Sequence, residues 1–133
     1  AAFDGPDRHL NQTFAIAVGG AFGALLRFWM SNGVYAWLGR GFPYGTLAVN
    51  VIGSLLMGLL YILMVERMAL GPEWRALVLI GLLGSFTTFS TFSIETLNLI
   101  EQADYMKALL NMLLSLVACL LAAALGVTLA RQL

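Results

Sequence analysis

The sequence predicts an all-α membrane protein of four transmembrane helices, and three observations carry that prediction. Of its 133 residues, 60% are hydrophobic and 11% charged, with a mean hydropathy of +0.87; a soluble domain is nearer half apolar and a quarter charged. Four apolar stretches each reach or approach the roughly 20 residues that a helix needs to cross a bilayer. The links between them are short, which makes sequence neighbours antiparallel and gives an up-down-up-down bundle. A formal net charge of +0 offers nothing to a nucleic acid. The single cysteine, Cys119, rules out a disulfide within the chain.

Residues 1–12 read as a polar N-terminal tail, with Asp4, Asp7, Arg8 and His9, and residues 13–133 as one membrane domain. The tail lacks the basic start and short apolar core of a signal peptide, and the missing initiating Met leads us to expect a trimmed or engineered end. His9, the one histidine, is placed in the tail. The first span is expected over Thr13 to Leu38, with small residues Gly19, Gly20, Gly23 and Ala24 for close packing. Gly39-Arg40-Gly41-Phe42-Pro43 makes the first turn. The second span runs from Tyr44 to Val65, with Asn50, Gly53, Ser54 and Gly58 at near-helical spacing. A link with Gly71-Pro72 follows, Pro72 opening the third helix. The third span is set at Trp74 to Ile100, and the fourth at Met106 to Leu129, with Ala118, Ala122 and Gly126 for packing.

The third span is the unusual one. Within Gly81 to Ser93 it carries two glycines, the hydroxyls Ser85, Thr87, Thr88, Ser90, Thr91 and Ser93, and Phe86, Phe89 and Phe92. Glycine weakens a helix, and Ser and Thr offer its backbone competing hydrogen bonds. Such a break at membrane depth is tolerated where the freed backbone is buried in protein or lines a wet cavity. We therefore expect the third helix to be broken mid-membrane, between Gly84 and Thr88, beside an ion or solute site.

Other polar residues inside the spans admit two readings each. Arg27 either snorkels to an interface or gives a vestibule a fixed positive charge. Asn50 either bonds helix to helix or donates to a permeating anion. Asn111, Ser115 and Cys119 share one helix face and form either a polar track or a hydrogen-bonded seam. Glu95 reads as a helix-end carboxylate reaching the interface. Phe89 and Phe92 present ring edges that carry partial positive charge, suited to an anion, while carbonyls freed at the break suit an alkali cation. No pair of carboxylates and no nucleophile–base set stands out, which disfavours enzyme chemistry.

Three segments resemble the Fluc (CrcB-type) fluoride channels: Gly-Ala-Leu-Leu-Arg at 23–27, Gly-Thr-Leu-Ala-Val-Asn-Val-Ile-Gly-Ser at 45–54, and Gly-Ser-Phe-Thr-Thr-Phe-Ser-Thr-Phe-Ser at 84–93. The resemblance implies a bacterial inner-membrane protein that exports toxic fluoride passively through two pores of an antiparallel, dual-topology homodimer. It implies that Asn50, Phe89 and Phe92 line the fluoride path, with Ser115 on a polar track of the fourth helix and Arg27 near a vestibule. It also implies that Gly84 and Thr87 offer backbone carbonyls to a structural Na+ at the dimer centre. Phe86 has no counterpart in the Phe pair and is left as packing. A dual topology agrees with the charge bias. Arg8, Arg67, Arg75 and Arg131 fall on one side, against Arg40 and Lys107 on the other, too small a difference to fix one orientation. The alternative is a proton-coupled small multidrug exporter, also small and four-helical. It needs a membrane-embedded acid in the first span, where this chain has Arg27 and no acid.

Overall fold

In the computed structural model, which describes residues 6–68 and 70–133, every regular element is helical. Helix α1 spans Pro6–Leu38 and α2 spans Tyr44–Tyr61. The second helix continues as a π-helical segment, Ile62–Arg67. The third span is composite: α3, Pro72–Arg75; a π-helical segment, Ala76–Leu82; α4, Leu83–Phe86; and α5, Phe89–Glu101. Helix α6 runs Tyr105–Gln132. By length and composition four stretches can cross a membrane, His9–Leu38, Tyr44–Arg67, Pro72–Glu101 and Tyr105–Gln132. The chain is a multi-pass membrane protein.

Residues 1–5 of the expected tail lie outside the described residues. From Pro6 onward the chain is already helical, so the second half of that tail is the start of α1. Pro fits a helix start because the N–H it lacks would be unbonded there. His9 thus sits in a helix, its carbonyl accepting the Thr13 hydroxyl at 2.8 Å. Helix α1 stops at Gly39, whose positive φ of 83° and N–H to Tyr35 O at 2.7 Å form a left-handed cap.

Close approach of backbones organises the bundle. Helix α2 packs along α6, and α1 packs along the Ala76–Leu82 segment and α4. A Cβ on Gly58 would meet the Ala123 carbonyl oxygen, and one on Gly126 would meet the Leu55 carbonyl oxygen, each at 2.2 Å. These glycines let α2 and α6 touch backbone to backbone, where dispersion and weak polar contacts replace the hydrophobic drive that lipid removes. Gly19 and Gly23 do the same for α1 against Leu77 and Leu82. Between α2 and the third span a small apolar core gathers Met64, Leu79 and Leu83 with Leu56, Met57 and Leu60 around it.

The two π-helical segments are a difference from the uniform helices that the sequence predicts. In the second of them Leu83 donates its N–H to Val78 O, five residues back. Runs of this length are uncommon, since π-helix usually occurs as a single wide turn. This segment packs directly on α1, where the backbone of Leu77 and Leu82 comes against the bare Cα faces of Gly19 and Gly23.

Candidate functional site

The third span loses its helical backbone at two residues only. Thr87 has φ −89° and ψ 157°, and Thr88 has φ −150° and ψ 121°, both extended. Gly84 falls within α4, so the interruption is narrower than the Gly84 to Thr88 stretch expected from sequence. The two threonines close their own ends. Thr87 gives both its N–H (3.2 Å) and its hydroxyl (3.1 Å) to Leu83 O. Thr88 Oγ1 accepts from Thr91 N–H at 3.2 Å and so caps α5.

Asn50 of α2 braces the gap. Its Oδ1 accepts the Thr88 N–H at 2.8 Å, and its Nδ2 donates to Thr88 O at 3.0 Å. One amide thus takes the place of a backbone partner on both sides of Thr88, and one Nδ2 hydrogen is left over. Of the two sequence readings of Asn50, the structure shows the helix-to-helix bond, and it leaves one donor unspent.

The bracing has a consequence for two carbonyls. In an unbroken helix Thr88 N–H would bond Gly84 O, and Thr91 N–H would bond Thr87 O. Here those donors go to Asn50 and to the Thr88 hydroxyl. Gly84 and Thr87 are thus the residues whose carbonyls lose their helical donors to side chains. Gly84 is also exposed, and a Cβ there would meet only Leu79 O, in ordinary contact at 3.8 Å.

Asn50, Thr87 and Thr88 border a cavity of about 610 Å³ that reaches α6 at Ser115 and Cys119. Phe89 and Phe92 form its aromatic wall, with ring centroids 5.3 Å apart and planes tilted by 45°. Phe89 is 78% exposed, whereas Phe86 is 5% exposed and packs inside near Gly53. Phe86 is a core residue, as read from sequence.

The polar stripe of α6 divides. Asn111 is 2% exposed and donates to Thr96 Oγ1 at 2.9 Å, which makes it a seam between α5 and α6. Ser115 and Cys119 line the cavity. Ser115 also lies 3.5 Å from Asn111 Oδ1.

Glu95 corrects the sequence reading. It is not a carboxylate reaching out at a helix end. It sits within α5 and is held inward by Tyr35 Oη, which donates to Oε2 at 2.8 Å, and by Thr46 Oγ1, which donates to Oε1 at 2.5 Å. An acid inside a span needs such donors, because unpaired charge there is costly. Tyr35 and Thr46 were not singled out from sequence. The signal was there for Thr46, one turn before Asn50 on the same helix face. Arg27 is partly buried, and its Nε has no hydrogen-bond partner among the described residues.

The chain matches the family model described as CrcB-like protein, Camphor Resistance (CrcB), over residues 14–127. The chain belongs to this family. The matched region contains all the CrcB site candidates named above, from Arg27 to Ser115. Among curated relatives, the fluoride-specific ion channel FluC of Methylococcus capsulatus is 62% identical over 120 residues. That match covers 90% of this chain and 53% of the relative, so the chain spans about half that protein's length. The fluoride-specific ion channel FluC of Magnetococcus marinus is 55% identical over 116 residues, 87% of this chain and 94% of the relative. That of Shewanella amazonensis is 53% identical over 117 residues, 88% and 94% respectively.

Proposed function

We propose that this CrcB-family protein is a fluoride-selective ion channel, not an enzyme, and that it exports fluoride passively across the bacterial inner membrane. The observation that carries the reading is the meeting of Asn50, Phe89, Phe92 and Ser115 around one cavity beside an interrupted helix. Relatives named as fluoride-specific channels at up to 62% identity support it.

Conduction needs binding that replaces water yet stays weak enough for release. The spare Nδ2 hydrogen of Asn50 gives fluoride a directed donor, fixed in place because the rest of the amide is tied to Thr88. The ring edges of Phe89 and Phe92 add a diffuse positive wall without a formal charge. The Ser115 hydroxyl supplies a further donor across the cavity. Arg27 raises the local anion concentration from a vestibule.

The interruption lies mid-membrane in this reading, and the protein works as an antiparallel, dual-topology homodimer with two pores. The exposed Gly84 surface and the outward Phe89 ring then face the second copy. The residues fit a structural Na+: the carbonyls of Gly84 and Thr87 are hard oxygen donors whose helical partners have been diverted. Such an ion would offset the repulsion among inward-pointing carbonyls at the subunit interface.

Fluoride release from proteoliposomes, read with an ion-selective electrode and with chloride as control, tests the function. Wild-type protein is expected to release fluoride and not chloride. Phe89→Ile removes the ring edge and keeps an apolar side chain; we expect release to fall at least about tenfold, equivalent to 1.4 kcal/mol of lost stabilisation, while the protein elutes unchanged in detergent. Undiminished release from Phe89→Ile would defeat the assigned role of the ring.

A further inference from the structure

A second cavity, of about 170 Å³, lies where the α1–α2 loop meets the C-terminal half of α5. Tyr35, Arg40, Glu95, Asn98 and Gln102 give it polar walls. It is lined by α5 residues further along the helix than those of the first site. Phe92, Glu95, Leu99 and Gln102 follow one another at steps of three and four residues and so share a helix face. At 1.5 Å per residue, Gln102 stands about 15 Å beyond Phe92, toward the end of the bundle.

Its charged groups differ in what they have left to offer. Both carboxylate oxygens of Glu95 accept hydroxyl hydrogen bonds from Tyr35 and Thr46. Lys107, which does not line the cavity, donates to the carbonyl of Gly41, which does, at 3.0 Å. Arg40 is held 4.5 Å above the Tyr35 ring centroid by a cation–π contact. Its N–H edge makes no hydrogen bond or ion pair among the described residues. Glu101 and Asp104 also lie at this end and, like Arg40, are exposed, so solvent screens all three charges. A guanidinium with its fork of donors unspent is suited to meet a small anion.

We propose that this cavity is an antechamber for the permeating anion, with Arg40 as its docking cation. The inference rests on the channel reading above and adds a residue and a place to it. The volume exceeds the roughly 30 Å³ that one water occupies, so the anion docks with part of its hydration shell and gives it up only nearer Phe92. Arg40 acts by raising local anion concentration, an effect of a single charge near the surface and therefore dependent on ionic strength.

The test is fluoride release from proteoliposomes of wild type, Arg40→Gln and Arg40→Lys, at ionic strengths of about 10 mM and about 300 mM, on either side of the range where the Debye length shrinks from about 30 Å to below 8 Å. Arg40→Gln is expected to slow release about two- to threefold at the lower strength, with the gap closing at the higher. Arg40→Lys keeps the charge and is expected to stay near wild type at the lower strength. Equal release by all three proteins at both strengths overturns the antechamber while leaving the channel reading intact. So does an Arg40→Gln deficit that salt does not change, since that marks a structural role. Wild-type vesicles that hold their fluoride overturn the channel reading, and the antechamber with it.

Discussion

At the scale of single residues, Asn50 braces the interrupted helix and, in the proposed channel, serves transport with the same amide. Its carbonyl oxygen and one of its N–H groups replace the backbone partners that Thr88 gives up. Asn50→Asp separates the two roles. The aspartate can still accept from Thr88 N–H, but it loses both donors and brings a negative charge to the anion path. We expect fluoride release to fall more than about a hundredfold, or 2.7 kcal/mol, with the protein still eluting unchanged in detergent; release within a factor of two of wild type would sink the proposal for Asn50. Its importance was legible from its position inside an apolar span. Its partner was not, because Thr88 lies 38 positions away and only the fold brings them together. Glu95 shows the opposite case. Counting along the chain places it inside the third span but does not say where its carboxylate points, because the donors that hold it come from two other helices.

At the scale of elements, small residues separate into those that permit contact and those that merely occupy helix positions. Gly58 and Gly20 look alike in the sequence. A Cβ on Gly58 would collide with the Ala123 carbonyl at 2.2 Å, whereas one on Gly20 meets nothing within 4 Å. Gly58→Val should therefore cost about 3 kcal/mol or more, because neither backbone can yield without parting α2 from α6. Gly20→Ala should be neutral or stabilise by up to about 1 kcal/mol, because alanine is the better helix former. Thermal unfolding in detergent compares them, and equal effects would mean that the α2–α6 contact is looser than described. The start of α1 and the π-helical segments were not legible. Polar residues read as a tail also make a helix once Pro6 opens it. Segment 76–82 has no sequence signal of its own, since its wide turn accompanies the packing of its backbone on α1.

At the scale of the whole molecule, the largest feature is apolar surface. Leu116, Leu120 and Leu121 on α6 are each more than 60% exposed, which suits lipid and, in the proposed assembly, a second subunit. The Na+ proposal is a whole-molecule prediction, because the ion would be shared between copies. Exchanging Na+ for choline should lower the melting temperature of the protein. At a hundred times its dissociation constant, a bound ion contributes about 2.7 kcal/mol. Unfolding curves that superimpose in the two buffers would remove Na+ from the account. The sequence by itself determined the membrane class and the number of spans, and it singled out Asn50, Phe89, Phe92 and Ser115, which the structure places among the residues that border the first cavity. Those follow from hydropathy, span length and the polar side chains that lipid does not tolerate without a reason. Only the tertiary structure decided how the third span is interrupted. The break narrows from Gly84–Thr88 to Thr87 and Thr88, because a helix ends where its hydrogen bonds find other partners, and those partners are the Asn50 amide and the Thr88 hydroxyl.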